Sequence, residues 1–118
     1  FGLLGHSLEL ARGADLTARI ASAQLPVLPG VQALAEQGVF TGASTRNWAS
    51  YGASVQLAAG ISDAQRALLT DPQTSGGLLV SCTPETVDDV LALFARHGFA
   101  DAAIVGRMEA GAAQVVVD

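Results

Sequence analysis

The stretch Gly77-Leu78-Leu79-Val80-Ser81-Cys82 is apolar at almost every position. A strand with one wet face alternates apolar and polar residues, because successive side chains point to opposite sides of the sheet. A run without that alternation is the pattern of a strand covered on both faces. The sequence therefore predicts a sheet with helices packed on it, and the flanking segments supply them. Ser62 and Gln65, three residues apart, match a capping box that opens a helix ending near Leu69. After the apolar run, Thr83 is placed to cap a helix and Pro84 to start it. Val87, Val90, Leu91 and Phe94 then fall at i, i+3, i+4 and i+7, and Gly98 closes the helix.

The rest of the chain reads in the same alternating way. Leu3 to Arg12 is a short helix with Leu4, Leu8 and Ala11 on one face and Gly13 at its stop. Leu16, Ala18 and Ile20 alternate with Thr17 and Arg19, as in a half-buried strand. Pro26 and Pro29 frame a turn, and a second helix runs from there to about Gln37, with Gly38 as terminator. Thr41 to Gly52 is rich in Gly, Ser, Thr and Asn and reads as a long surface loop. Ser54 to Leu57 is a short strand. Ala102 to Arg107 and Gln114 to Val117 are expected as two final strands, paired as a hairpin through Glu109–Gly111. Helices interleaved with strands, and two strands last, predict an α+β fold with a mixed sheet and packed helices.

Composition narrows the function. The 118 residues suit one domain with a single core, and 50% hydrophobic against 14% charged residues is a globular balance. The net charge is −5, and the six basic residues are all arginines spaced singly along the chain, so a nucleic-acid partner is not expected. Without lysine, the chain supplies neither a Walker-type phosphate lysine nor a Schiff base. No apolar run approaches the roughly 20 residues that span a bilayer, and no signal peptide is visible. One cysteine, Cys82, forms no internal disulfide, in keeping with a cytoplasmic setting. The chain starts at Phe1, not Met, and an upstream segment is expected.

Few residues offer chemistry. Thr70-Asp71-Pro72-Gln73-Thr74-Ser75-Gly76-Gly77 is the most unusual stretch. Its small residues could present N–H groups and hydroxyls to an anion, or could simply build a tight turn between a helix and a strand. Arg46 could hold a phosphate or carboxylate and Asn47 offers an amide, or both could be solvated beside a Trp48 that plugs the loop onto the core. His6 and Glu9 share a helix face as a surface pair, too few to make a metal site. His97 suits a helix C-terminus. Cys82 reads as a small buried hydrophobe. No catalytic residue and no metal ligand set emerges.

Three stretches carry a resemblance. Phe1-Gly2-Leu3-Leu4-Gly5-His6, continuing to Glu9, resembles the passage between the N- and C-terminal domains of the selenophosphate synthetase family. Asp71-Pro72-Gln73-Thr74-Ser75-Gly76-Gly77-Leu78-Leu79 resembles that family's signature in the C-terminal domain, and is the specific one. Gly42-Ala43-Ser44-Thr45-Arg46-Asn47 is similar to a looser family pattern of small residues ending in Asn.

The resemblance implies that residues 1–118 are a single C-terminal domain whose N-terminal ATP-binding domain is absent. Its fold would be that of the aminoimidazole-ribonucleotide synthetase C-terminal domain, an α/β/α layered α+β arrangement. The family makes selenophosphate, AMP and phosphate from selenide, ATP and water with magnesium. The full-length enzyme would be a homodimer, and this part alone would bind no cofactor and be inactive. The catalytic Cys or selenocysteine, a Lys and the metal-ligating aspartates belong upstream, and Cys82 does not match the catalytic position. Here the residues expected to face the cleft and contact substrate are Arg46, Asn47, Thr74, Ser75, Gly76 and Gly77. The rival expectations are another ATP-dependent enzyme of the superfamily, of aminoimidazole-ribonucleotide or thiamine-phosphate type, and a non-catalytic binding module.

Overall fold

The computed structural model describes residues Phe1–Asp118. Helix α1 (Gly2–Ala14) comes first. Its Leu4, Leu8 and Ala11 stripe is fully buried, and the small residues Gly5 and Ser7 on the same side let the helix sit close to its neighbours. It runs past the expected stop: Gly13 is helical, and Asp15 takes the left-handed position at φ 54°. Aspartate is among the few residues that tolerate that conformation.

Strand β1 (Thr17–Ile20) follows, then a short helix α2 (Val31–Glu36). Next come α3 (Gly42–Tyr51), β2 (Val55–Leu57) and α4 (Asp63–Leu69). Helix α5 (Val87–Arg96) precedes the last two strands, β3 (Gly106–Glu109) and β4 (Gln114–Val117). The sheet order is β2-β4-β1-β3. Strand β4 is parallel to both β1 and β2, whereas β3 is antiparallel to β1. The mixed sheet with packed helices expected from the sequence is therefore present.

Alternation along the strands sorts the faces. Ala18, Ile20, Val115 and Val117 point into the core, where they meet Leu4, Leu8 and Ala11 of α1, Tyr51 of α3 and Leu69 of α4. Thr17, Arg19, Gln56, Gln114 and Glu109 alternate onto the other face. There the Arg19 guanidinium holds Glu109 and Asp118, each at 2.9 Å, tying β3 and the end of β4 to the central strand.

Four sequence expectations are corrected. The segment Thr41 to Gly52 is not a loop but mostly helix α3, because Thr41 caps it and Trp48 and Tyr51 pack inward. Strands β3 and β4 do not form a hairpin. They flank β1 on either side, and β3 starts at Gly106 rather than at Ala102. Gly77–Cys82 is not a strand: no backbone hydrogen bond joins it to any segment, and Leu78 is 81% exposed. Apolar sequence makes a segment competent to pair but does not supply the neighbour, and neither sheet edge, β2 or β3, hydrogen-bonds to it. Cys82 is accordingly exposed, not buried.

Candidate functional site

Helix α3 starts at Thr41, whose hydroxyl accepts from the Ser44 N–H at 3.2 Å. That cap fixes the helix phase, which turns Ser44 and Asn47, one turn apart, toward the end of α4. Ser44 is buried, and its hydroxyl donates to the Ala67 carbonyl at 2.7 Å. The Ser44 and Thr70 hydroxyls lie 2.5 Å apart, and Thr70 Oγ1 is also 2.8 Å from the Arg66 carbonyl. One residue beyond α4, Thr70 is itself buried, and its carbonyl accepts from Asn47 Nδ2 at 2.8 Å. Thr41 Oγ1 donates to Asp71 Oδ1 at 3.3 Å, adding a second tie at the root of the following loop.

The start of the chain reaches the same residue. Gly2 has φ +72°, and a Cβ built there would lie 2.6 Å from the Thr70 carbonyl carbon. Only glycine combines that dihedral with so close an approach. The Tyr51 hydroxyl donates to the Phe1 carbonyl at 2.5 Å, holding α1 and α3 together. Burial pushes the Tyr51 phenol above its ordinary pKa. The three stretches singled out in the sequence, beginning at Phe1, Gly42 and Asp71, thus meet around Thr70.

Beside this junction is a cleft of about 180 Å³ walled by Phe40, Trp48 and Arg66, with Ser44 and Thr70 at its back. The Arg66 guanidinium lies 5.2 Å from the Trp48 ring centroid and 3.1 Å from Asp63, so its charge already has partners. Trp48 packs against the core cluster, as expected of it.

The six candidate residues separate into two groups. Asn47 is fixed by its bond to Thr70. Arg46, on the same helix, is exposed and makes no ion pair; its Nη1 lies over Gly42 at the helix start, 3.5 Å from where a Cβ would stand. Thr74, Ser75, Gly76 and Gly77 are exposed, and the one hydrogen bond within the turn is from Gly76 N–H to the Gln73 carbonyl at 3.1 Å. No bond joins Arg46 to the turn. The arrangement offers N–H groups, hydroxyls, one guanidinium and the Asp71 carboxylate to a ligand.

Other candidates take ordinary roles. His6 and Glu9 form an exposed pair at 3.0 Å, and His97 caps α5. No three His, Cys, Asp or Glu side chains converge. Sequence reading missed Ser44 and Thr70, whose significance comes from mutual burial. The one local signal was Thr70's position at the join between a helix and the unusual loop.

This architecture is an α+β domain whose small-residue motifs gather at one helix end. The chain matches the family described as AIR synthase related protein, C-terminal domain, over residues 1–118, and it belongs to that family. It is also similar to proteins named selenide, water dikinase. The one from Pseudomonas straminea is 74% identical over 117 residues, covering 99% of this chain and 33% of that protein. The one from Burkholderia ambifaria is 63% identical over the same shares, and the one from Rhizobium meliloti is 51% identical over 99% of this chain and 34% of its own length. The chain spans about a third of the length of these curated relatives.

Proposed function

We propose that this chain is the C-terminal domain of a selenophosphate-forming enzyme, in which ATP, selenide and water give selenophosphate, AMP and phosphate. The observation that carries the reading is the convergence of the three motif stretches on Thr70, in a chain similar to selenide, water dikinases along 99% of its length. In this reading an ATP-binding domain of the same polypeptide supplies the nucleophile and the magnesium ligands. The present domain packs against it and closes the cleft. Arg46, Asn47 and the Thr74–Gly77 turn face that cleft and contribute positioning and exclusion of water, which carry most of phosphoryl-transfer catalysis. The assembled enzyme is a cytoplasmic homodimer; no helix here is long and apolar enough to cross a membrane.

A free-standing binding module is the less favoured reading. Twelve large apolar side chains are exposed, Leu78, Phe99 and Ile104 each by more than half, and that amount of bare apolar area favours a domain that packs on a partner. The testing experiment is phosphorus NMR of ATP and selenide under anaerobic conditions, comparing this chain with the same protein extended upstream. The expected result is selenophosphate and AMP from the extended protein alone. ATP left intact, or converted only to ADP, would overturn the assignment.

A further inference from the structure

We infer that Thr70 is a positioning residue: its hydroxyl, engaged by Ser44, sets the root of the Asp71–Gly77 loop against α3, and turnover depends on that setting. The inference rests on the proposed function and goes beyond it, because Thr70 contacts no substrate in that reading.

The hydroxyls of Ser44 and Thr70 have two protons to place among four contacts. Ser44 donates to the Ala67 carbonyl, and Thr70 donates to Ser44 or back to the carbonyls of Arg66 and Ala67. Both side chains are essentially fully buried, 2% and 1% exposed, so water does not substitute for a lost partner. The same residue's carbonyl receives Asn47, and its backbone is touched by Gly2. Thr70 is therefore fixed through its side chain and its carbonyl by α3, and its backbone is approached closely by the start of α1. Beyond Asp71, by contrast, the loop is held by one internal bond. A loop tethered only at its root takes its direction from the root, and a shift there of about 1 Å could cost on the order of 100-fold in rate if it moved groups that orient substrate.

The test compares Thr70→Val, which keeps the shape and removes the hydroxyl, with Thr70→Ser, which keeps the hydroxyl. Both are made in the longer polypeptide, and Ser44→Ala is a second route to the same loss. Selenophosphate formation gives kcat and the KM for ATP. Amide exchange at Asp71, which donates to the Leu68 carbonyl, and at Gly76 reports the loop root without needing catalysis. The expected result is faster exchange and at least a tenfold lower kcat for Thr70→Val and Ser44→Ala. The KM for ATP should stay within about twofold, and Thr70→Ser should stay near the parent. Parent-like exchange and kcat in Thr70→Val would overturn the inference. Equal damage from Thr70→Ser would also overturn it, since the hydroxyl would not be what matters. If the unsubstituted longer polypeptide makes no selenophosphate, the functional reading fails. Unchanged exchange would then overturn the positioning role as well, and accelerated exchange in the valine variant alone would support the loop setting.

Discussion

The side-chain amide of Asn47 donates to the carbonyl of Thr70, 23 residues further along the chain, across 2.8 Å. This bond joins helix α3 to the point where α4 gives way to the Asp71–Gly77 loop. It converts a residue that reads as a free surface amide into a tie between two motifs.

Replacing Asn47 by Ala removes that donor from a partly buried carbonyl. The domain is expected to lose about 1 kcal/mol of stability, the usual net worth of one hydrogen bond. Urea denaturation of the two proteins side by side measures the difference, and coincident curves would mean that water takes the amide's place.

The glycine at position 106 predicts a larger effect. A Cβ there would fall on the carbonyl oxygen of Arg19, in the strand paired with it. Gly106→Ala should force β3 away from β1 and lower stability by about 2 kcal/mol or more, as overpacking does. Thermal unfolding is the readout, and an unshifted midpoint would contradict this close approach.

Acid should weaken the sheet through Glu109. The hydrogen bond from Arg19 holds its carboxyl below the ordinary glutamate value. A depressed pKa in the folded state gives stability that is present above the unfolded value, near 4.5, and lost as pH falls through the folded one. Urea midpoints at pH 6 and pH 3 should therefore differ, and Glu109→Gln should shrink that difference. An identical pH dependence in the variant would exclude Glu109 as its source.

Helix α4 depends on its first turn. Ser62 accepts from Gln65 N–H at 3.2 Å, and the Gln65 side chain accepts from Ser62 N–H at 2.8 Å. Ser62→Ala should cost about 1 kcal/mol in a denaturation experiment.

The elements that could be read from the sequence are those whose cause is local. Ser62 and Gln65 form the expected box, and α5 carries Val87, Val90, Leu91 and Phe94 as expected, although it starts at Val87: Pro84–Thr86 is a separate 3-10 turn and the Thr83 side chain makes no capping bond. Helix α3 was hidden because its Gly, Ser, Thr and Asn content matches a loop. What makes it helical is Trp48 and Tyr51 packing on the core and Ser44 and Asn47 bonding to α4. Gly77–Cys82 fails for the opposite reason: its composition is ideal for a strand, but pairing is a property of two segments. In the candidate site, Asn47, Ser44 and Thr70 all lie in the quoted stretches, but the sequence alone gives a role only to Asn47, because the burial of Ser44 and Thr70 is created only when α3 and α4 meet.

The place of β1 in the sheet has a consequence for how the molecule comes into being. Thr17–Ile20 is made well before both of its neighbours, which lie far along the sequence: Ile20 pairs with Gly106 on one side and Val117 on the other. The central strand waits for residues far downstream, so the sheet forms only after Gly106–Glu109 and Gln114–Val117 have both been made. With partners so remote in sequence, the search is slow compared with helix formation. A polypeptide lacking Gln114–Val117 would leave the apolar stripe of α1 without the Val115 and Val117 side chains it packs on.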